Sequence, residues 1–351
     1  MKMTVNRSDL ETLTATLAPL ARHGTLPALN CLLIEAGKKG ARMAASNLDQ
    51  YVRMDAAAEV ADPGEVCVSA GLLAKLAKEM DGEAVTMETD GAVLRLTCGG
   101  FDGKLLTIAA EDFVAVPKCK GDAFPIPADA FKLVPFASTD ETRHVLNWVH
   151  LEAELAETLT AVATDGRRLA AMQFDSTPVA VGCTVPSTAC GLFAKLAAAG
   201  NATLAADNST AVLTAPGVMA STKLIEGTYP NWRQVVPTWL SGEVFFEEPH
   251  LFIEAVRRVA LLCNEKSAAV KLTLGKDSIK VSVATADVGE ACETVKARIN
   301  GGQEVIAVSP DYLLSAVSRP AQFVIRYADA TSPLVIEGGA FTAVVMPMRV
   351  A

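Results

Sequence analysis

The residues that could carry out chemistry are few and scattered along the chain. The four histidines show no spacing typical of metal ligands, and the eight cysteines form no CxxC pair and fit no common zinc module. The sequence contains no GxxxxGK[ST] phosphate loop, no GxSxG nucleophile motif and no HExxH zinc motif. Acidic residues form no paired-carboxylate pattern. The sequence therefore predicts no catalytic site, no metal and no cofactor, although a cysteine–histidine nucleophile stays open as an alternative.

Basic side chains in or beside predicted helices are the groups that could bind phosphate. A single lysine on a helix is usually a solvated residue, but here such residues recur in three parts of the chain. The chain is acidic as a whole, with a formal net charge of −9, which taken alone argues against nucleic acid. Net charge does not describe distribution, however, and a ring can be acidic outside and basic inside. The candidate DNA-facing residues are Arg22, His23, Lys75, Lys78, Lys132, Lys195, Arg257, Arg258 and Arg319.

Length and composition predict a globular protein with more than one domain. The chain has 351 residues, of which half are hydrophobic and a fifth charged, so it can fill two or three sizeable cores. No apolar run approaches the roughly 18 residues that span a bilayer, and the N-terminus lacks the apolar segment of a signal peptide. Several cysteines lie in apolar runs, which is typical of buried free thiols. We therefore expect a cytoplasmic protein in a reducing compartment.

A threefold internal repeat is the most informative feature of the sequence. A short strand followed by a helix of about three turns is predicted in MTVNRSDLETLTATLAPLA, FPIPADAFKLVPFAST and VFFEEPHLFIEAVRRVALLC. Leu10, Phe131 and Phe252 take equivalent places and are 121 residues apart in both intervals. The unit is too long for a solenoid repeat, so it indicates a triplicated domain.

A second strand–helix pattern follows in each third, and three alternating strands follow each second helix. The second helices lie in VCVSAGLLAKLAKEM, CTVPSTACGLFAKLAAAG and IAVSPDYLLSAVSR. In the first of them we expect Lys75 and Lys78 to face outward. Its buried stripe is expected to contain Leu72, Leu73, Leu76 and Met80.

The predicted fold class is α+β. Each third would be a similar domain, with two helices packed on antiparallel sheets. The predicted boundaries are 1–122, 123–241 and 242–351.

Four stretches of the sequence resemble the DNA polymerase III beta subunit, the bacterial sliding clamp. They are TLPALNCLLIEA (25–36), VATDGRRLA (162–170), STKLIEGTYPNWRQVVP (221–237) and VVMPMRV (344–350). NEK at 264–266 and SNLDQYVRM at 46–54 are also similar to family positions. The TDGxRLA and MPMR elements together are specific. Asp165-Gly166 between two alternating runs is also a strong local signal for a β-hairpin.

The resemblance implies the DNA clamp fold and a non-enzymatic processivity factor. Two protomers would join head to tail in a closed ring around duplex DNA, with helices lining the hole. Contacts to DNA would be sequence-independent phosphate contacts. The implied partners are the DNA polymerase III alpha subunit, the clamp loader and other proteins that carry the clamp-binding motif.

The resemblance also implies a pocket between domains 2 and 3 that accepts a short peptide with apolar anchors. VVMPM could instead be only a last core strand, and both interpretations can hold together. The matching residues are Leu146, Thr164, Gly166, Arg167, Arg168, Leu169, Pro230, Gln234, Val235, Tyr312, Val344, Met346, Pro347, Met348, Arg349 and Val350.

The chain departs from the family pattern at several of these places. Arg167 stands where the family often has histidine, and Gln234 where an arginine is common. The chain ends in Arg-Val-Ala rather than in leucine. We expect these three differences to change partner affinity. Ser187 and Thr188 replace frequent basic residues, which would weaken one DNA contact.

For the ring contact, domain 1 of one protomer is expected to pack on domain 3 of the other. Leu261 and Leu262, at the end of a predicted helix, would supply the apolar part on domain 3. Asp287, Glu290 and Glu293 would pair with lysines of domain 1. The alternative is that the two leucines are ordinary core residues.

Three classes of protein compete for this sequence. One is a clamp, one is a hydrolase that uses a cysteine or a carboxylate, and one is a repeat-built module that binds only proteins. The threefold repeat with basic residues on its helices favours the clamp over the module. The missing catalytic constellation disfavours the hydrolase.

Overall fold

The computed structural model describes residues 1–22, 26–154, 158–175, 182–225, 227–264 and 269–349. Among the candidate site residues, His23 and Val350 lie outside the described residues. Glu265 and Lys266 of the NEK motif also lie outside them. The described part contains five α-helices and 26 strands.

The first third contains nine strands and two α-helices, with short 3-10 helices at Pro27–Asn30 and Ala110–Asp112. In chain order the elements are β1 (Lys2–Asn6), α1 (Arg7–Leu17), β2 (Cys31–Gly37), β3 (Gly40–Ser46), β4 (Gln50–Ala56), β5 (Ala58–Asp62), β6 (Gly64–Ser69), α2 (Ala70–Glu79), β7 (Ala84–Asp90), β8 (Val93–Cys98) and β9 (Phe101–Ile108).

The middle third contains eight strands, one α-helix and four 3-10 helices, at Ala128–Phe131, Val134–Phe136, Glu141–Leu146 and Trp232–Val235. The other elements are β10 (Ala123–Pro125), β11 (Trp148–Glu154), β12 (Thr158–Thr164), β13 (Arg168–Asp175), β14 (Cys183–Pro186), α3 (Ser187–Ala197), β15 (Thr203–Ala206), β16 (Thr210–Ala215) and β17 (Val218–Lys223).

The last third again contains nine strands and two α-helices. Its elements are β18 (Gly242–Phe245), α4 (Pro249–Ala260), β19 (Val270–Leu274), β20 (Ser278–Thr285), β21 (Gly289–Lys296), β22 (Arg298–Asn300), β23 (Val305–Val308), α5 (Pro310–Val317), β24 (Val324–Tyr327), β25 (Leu334–Gly338) and β26 (Phe341–Val345).

The first helix of each third is positioned by one large buried side chain. In α1 the side chain of Asn6 accepts a hydrogen bond from the amide of Ser8 and caps the helix, and Leu10 is fully buried. In α4 the proline Pro249 occupies the first turn, where its missing N–H has no cost, and Phe252 is fully buried. The predicted equivalence of Leu10 and Phe252 is therefore confirmed.

The predicted α-helix around Phe131 is wrong in type. The chain forms two short 3-10 helices there, Ala128–Phe131 and Val134–Phe136. Pro135 lacks the N–H that an α-helix needs and its ring clashes with the preceding turn, so a three-turn helix cannot pass through it. Phe131 and Phe136 are nevertheless fully buried, which preserves the packing role of the segment.

The buried face of α2 is narrower than predicted. Ala70, Leu73, Ala77 and Met80 form it, at helical spacings of three and four. Leu72 does not belong to the buried stripe: it is 51% exposed, because consecutive helical residues point about 100° apart. Leu76 is half-buried. Lys75 and Lys78 are exposed, as predicted.

The described chain divides into two compact units, residues 1–128 with 192–224 and residues 129–191 with 225–351. The first unit contains a 13-stranded sheet in the order β10-β15-β16-β17-β4-β3-β2-β6-β9-β8-β7-β1-β5. The second contains a nine-stranded sheet, β14-β11-β12-β13-β26-β25-β24-β18-β22, and a four-stranded sheet, β21-β20-β19-β23. The division into three domains at the predicted bounds stays a prediction.

Each unit contains one junction between consecutive thirds of the chain. In the first unit β4 pairs antiparallel with β17, from Met54 opposite Val218 to Gln50 opposite Thr222. In the second unit β13 pairs antiparallel with β26. The two junctions are equivalent in the repeat. One partner is the last strand of the three-stranded run that precedes the second helix, which is β2-β3-β4 in the first third and β11-β12-β13 in the middle third. The other partner is the last strand of the run that follows the second helix, which is β15-β16-β17 in the middle third and β24-β25-β26 in the last third.

The cysteines have the predicted free thiols, all eight in the described part of the chain and none in a disulfide. Five are buried and Cys119 and Cys263 are half-buried. Cys292 on β21 is exposed, against the expectation of burial. Within the described residues, no helix has both the length and the apolar character needed to cross a membrane.

Candidate functional site

The predicted hairpin at Asp165-Gly166 is present and joins β12 to β13. Gly166 has a φ of +84°, a conformation that favours glycine. One carboxylate oxygen of Asp165 accepts hydrogen bonds from the amides of Arg167 (2.9 Å) and Arg168 (3.0 Å). The Thr164 hydroxyl accepts one from the Gly166 amide at 3.1 Å and donates one to the Arg168 carbonyl at 2.7 Å. The side chains of the TDG motif therefore fix the turn.

The Arg168 side chain lies against the hairpin, α5 and the 3-10 helix Val134–Phe136. Its guanidinium donates to the Asp165 carboxylate at 3.0 Å, to the Ser315 hydroxyl at 2.8 Å and to the Pro135 carbonyl. Its carbon Cζ lies 4.5 Å from the ring centroid of Tyr312, within the range of a cation–π contact. This places Arg168 and Tyr312 together, as the resemblance implies.

A buried apolar cluster lies beneath these residues. Its members are Val162, Leu169, Ala171 and Val344, and Leu169 is directly opposite Val344 in the β13–β26 ladder. Val344 is therefore a core residue, as the core-strand interpretation of VVMPM predicts, and the pocket interpretation stays a prediction.

The YPNWRQVV stretch, the 229–236 segment, runs across the face of the sheet that carries this cluster. Tyr229, Trp232 and Val236 pack against the cluster and are partly buried. Pro230, Gln234 and Val235, which the resemblance assigns to the pocket, are exposed.

The C-terminal residues after β26 form backbone hydrogen bonds with two neighbouring segments, the β12–β13 hairpin and β23. The Met346 amide donates to the Arg167 carbonyl at 3.0 Å, and the Met348 amide donates to the Ala307 carbonyl of β23 at 2.7 Å. Met346, Met348 and Arg349 are exposed and Pro347 is half-buried. The predicted residues Arg167 and 346–349 are thus brought together.

A cavity of about 580 Å³ opens beside this tail. Sequence reasoning missed five of its nine lining residues, and three of the five are short alanine or threonine side chains that carry no recognisable pattern. Leu146, the remaining predicted residue, is half-buried at the end of the 3-10 helix Glu141–Leu146. The cavity residues that the sequence did not indicate are Lys271, Val305, Ala307, Ala330 and Thr331.

Five of the described candidate DNA-facing residues are exposed, and none of the ion pairs described for the chain joins them to a carboxylate. In the first unit the Lys195 ammonium lies 3.2 Å from the Thr16 hydroxyl, so this lysine of α3 lies beside α1. The five are Arg22, Lys75, Lys78, Lys195 and Arg257.

Three other candidates bind groups of their own unit. Lys132 pairs with Asp129 at 2.7 Å. Arg319 donates to the Lys132 carbonyl, and burial lowers the pKa of its guanidinium. Arg258 binds both carboxylate oxygens of Glu293, at 2.6 and 3.0 Å, and this bonding raises the pKa of Arg258. These three residues are therefore poorer candidates for phosphate contacts than the sequence indicated.

The candidate ring-contact residues differ in exposure. Leu261, directly after α4, is 80% exposed, whereas Leu262 is half-buried and its carbonyl accepts from the Thr285 hydroxyl at 2.8 Å. Asp287 and Glu290 are exposed. Glu293 is half-buried on β21, and within the protomer its partner is Arg258 rather than a lysine.

Sequence reasoning missed Leu106 on β9, which is 82% exposed. A signal was present, because two adjacent leucines in an alternating strand must point to opposite faces of the sheet. Leu105 is half-buried, so Leu106 faces outward.

In the part of the chain that the structure describes, no cluster of histidine, cysteine, aspartate or glutamate residues could hold a metal ion.

Three protein-family models, one for each domain of the DNA polymerase III beta subunit, match the chain in order. The N-terminal domain matches residues 1–117, the central domain 130–231 and the C-terminal domain 233–349. The beta sliding clamp of Caulobacter vibrioides is 30% identical over 381 residues, covering 100% of both chains. The solved structure titled Caulobacter crescentus pol III beta is 27% identical with a TM-score of 0.88, again covering 100% of both chains.

The crystal structure of the DNA polymerase sliding clamp from Bacillus subtilis has a TM-score of 0.92 over 100% of both chains. At 21% identity this likeness shows the fold alone. The resemblance of the TDGRRLA and MPMR motifs agrees with the family models and the Caulobacter relative. The chain therefore belongs to the DNA polymerase III beta subunit family, the bacterial sliding clamps.

Proposed function

We propose that two copies of the chain join head to tail into a ring that encircles duplex DNA and holds proteins that act on it. The family role is that of a processivity clamp in DNA replication, a non-catalytic accessory subunit of DNA polymerase III. Each protomer would contribute three domains, residues 1–122, 123–241 and 242–351.

The repetition of the sheet junction is the observation that carries the proposal. β4 pairs with β17 and β13 pairs with β26, so each third uses the same two kinds of strand for its neighbours. In the described chain, two strands of these kinds form no junction with another third: β21, the last strand of β19-β20-β21, and β9, the last strand of β7-β8-β9. β21 ends the four-stranded sheet, and in the described chain β9 pairs with β8 on one side and only through Thr107 and Ile108 with β6 on the other.

A third junction between β21 of one protomer and β9 of the next would close the ring. Unpaired strand edges are costly to leave open, and a heterologous contact of this kind forms a ring when its rotation closes. Leu106 on β9 and Leu261 after α4 are highly exposed on the two sides of this contact. Their burial would favour the dimer.

The DNA contacts would come from exposed lysines and arginines on the helices. We propose that Lys75, Lys78 and Lys195 contact phosphates without reading bases, because a ring that slides must not bind one sequence tightly. Retention on DNA would then depend on topology more than on contact energy.

The surface formed by Arg168, Leu169, the 229–236 segment and the C-terminal tail would bind a short peptide of a partner. Exposed methionine side chains adapt to different anchors, which suits a site shared by several partners. The proposed partners are the DNA polymerase III alpha subunit, the clamp loader and other proteins with the same motif. The free thiols support a reducing, cytoplasmic location.

Retention on circular DNA tests the proposal most directly. The purified protein is loaded onto nicked circular duplex by a clamp loader, and the complex is isolated by gel filtration before and after the circle is cut once. We expect the protein to stay on the circle and to leave after linearisation, because a ring slides off an end. Equal retention on both forms would show ordinary binding and contradict the ring.

A further inference from the structure

We propose that Glu152 is a positioning residue for partner binding: its carboxylate fixes the 229–236 segment as one wall of the peptide site. The inference rests on the peptide docking proposed above. It goes beyond that docking because Glu152 lies outside the set of residues that would touch the peptide.

Glu152 lies on the face of the sheet that carries the apolar cluster. Side chains alternate along β11, and Val149 and Leu151 are fully buried on the opposite face. His150, two residues before Glu152, lies directly opposite Val162 of the cluster. The 229–236 segment therefore crosses one continuous surface that includes Glu152, β12, β13 and Val344.

One oxygen of Glu152 binds two consecutive side chains of the segment. Oε2 accepts a hydrogen bond from the Trp232 indole nitrogen at 2.8 Å and from the Arg233 guanidinium at 2.7 Å. The Arg233 Cζ atom also lies 4.4 Å from the Trp232 ring centroid. Hydrogen bonds to an ionised acceptor are about twice as strong as neutral ones, so this pair is a strong polar attachment for the segment.

A second attachment holds the start of the segment. The ring of Tyr229 stacks on His150 with centroids 4.6 Å apart and an interplanar angle of 5°. Nδ1 of His150 lies 2.9 Å from the Thr184 hydroxyl, which fixes the imidazole. Burial lowers the pKa of His150, so the stacked ring stays neutral at pH values where an exposed imidazole begins to protonate.

The exposed residues of the segment depend on these attachments. Pro230, Gln234 and Val235 are the residues that would face a peptide, and none belongs to the buried cluster or its partly buried neighbours. Their positions are therefore set through Trp232 and its neighbours. A wall that is ordered before binding costs the peptide less entropy than one that must be ordered on binding.

The experiment compares Glu152→Ala and Glu152→Gln with the full-length wild-type protein. The matched control is Glu243→Gln, because Glu243 on β18 is also half-buried and also pairs with an arginine, Arg326 of β24, at 3.1 Å. Binding of a fluorescent peptide from the clamp-binding segment of a bacterial DNA polymerase III alpha subunit is measured by stopped flow. The indole N–H resonance of Trp232 and hydrogen exchange of residues 229–236 report the attachment itself.

We expect Glu152→Ala to raise the Kd about tenfold, equivalent to about 1.4 kcal/mol, through faster dissociation. Glu152→Gln should give a smaller effect, because its amide oxygen still accepts a neutral hydrogen bond. In both variants the Trp232 indole signal should move and exchange in the segment should accelerate, with unchanged mass and thermal unfolding. Glu243→Gln should resemble the wild type.

Two failures can be told apart. If the wild-type protein does not bind the peptide, the docking proposal is wrong, and the positioning role fails with it. If the wild type binds and Glu152→Ala dissociates at the wild-type rate, docking stands and the positioning role is overturned. A shifted indole signal with unchanged dissociation would also overturn it, because Glu152 would then hold the segment without affecting the peptide.

Discussion

Arg168 illustrates how one side chain can connect separate parts of the candidate site. The side chain is only 15% exposed, and its guanidinium contacts the hairpin, α5 and the Pro135 carbonyl. A lysine can supply the charge but not the planar fork that donates in several directions. Arg168 therefore holds the segments around the proposed peptide-binding surface together and is also part of that surface.

We expect Arg168→Lys to lower the free energy of unfolding by about 1–3 kcal/mol, because it removes hydrogen bonds that involve a charged group. Peptide affinity should fall as well. Urea denaturation and fluorescence anisotropy measure the two effects. Arg167→Lys is the control for the stability measurement, since Arg167 is exposed and its side chain has no comparable set of described contacts. An equal fall in the free energy of unfolding in both variants would argue against this role of Arg168.

At the scale of elements, the chain between β9 and β10 is attached to the β15–β16 turn by Asp207. Its carboxylate accepts from the amides of Ser209 and Thr210, both at 2.9 Å, and from the amide of Lys120 at 3.0 Å. Backbone hydrogen bonds, first from Ser209 and then from Lys120, lower the pKa of Asp207 to about 2.

This shift predicts a pH-dependent contribution to stability. The folded pKa lies below the unfolded value of about 3.9, so the contribution is present above about pH 4 and is lost as the pH falls toward about 2. Asp207→Asn should therefore be less stable than the wild type at neutral pH, and the difference should shrink on acidification. Denaturant unfolding of both proteins from pH 7 downward checks this. A difference that does not vary with pH would contradict the assignment.

The C-terminal tail is the element whose removal tests docking most simply. Deletion of residues 346–351 should leave the β13–β26 ladder intact, since that ladder ends at Val345. We expect an assembled ring that binds the polymerase peptide at least about tenfold more weakly, a loss of about 1.4 kcal/mol or more. Size-exclusion chromatography with light scattering and fluorescence anisotropy measure the two properties. Unchanged peptide affinity would remove the tail from the site.

At the scale of the whole molecule, the proposed assembly would depend on two strand edges and two exposed leucines. We expect Leu106→Lys and Leu261→Lys each to give folded monomers, because a charge would be buried without a partner in the dimer. Light scattering gives the mass and circular dichroism the folding. Val116→Lys, a change at an exposed apolar residue outside both strands, should remain dimeric. Dimeric mass in both leucine variants would place the contact elsewhere.

The proposed DNA-binding surface would also be a property of the assembled molecule. Changing Lys75, Lys78 and Lys195 together to alanine should slow loading or sliding without unfolding the protein, since all three side chains are exposed. Weak binding of the free protein to short duplex should fall with salt in the wild type and fall less steeply in the variant. Tight, sequence-specific binding to a short duplex would contradict the proposed phosphate contacts.

The sequence by itself determined the features that depend on local pattern. Strand alternation, the burial of Leu10 and Phe252 on the apolar faces of their helices, and the Asp165-Gly166 hairpin all follow from short-range rules that hold wherever the segment lies. The absence of known catalytic motifs and the resemblance of TDGRRLA and MPMR to the clamp family were also readable in the sequence. For the middle third, Pro135 was a visible signal against an α-helix, and the repeat pattern outweighed it wrongly.

Only the tertiary structure decided which side chains are available and which already have partners. Arg258 and Glu293 are 35 residues apart and were assigned to different surfaces, yet they bind each other. The contacts of Glu152 with Trp232 and Arg233 span about 80 residues, and no local pattern encodes such a pair. Long-range pairing depends on strand register, and a shift of one residue reverses every side chain, so exposure and partners follow only once the sheets are formed.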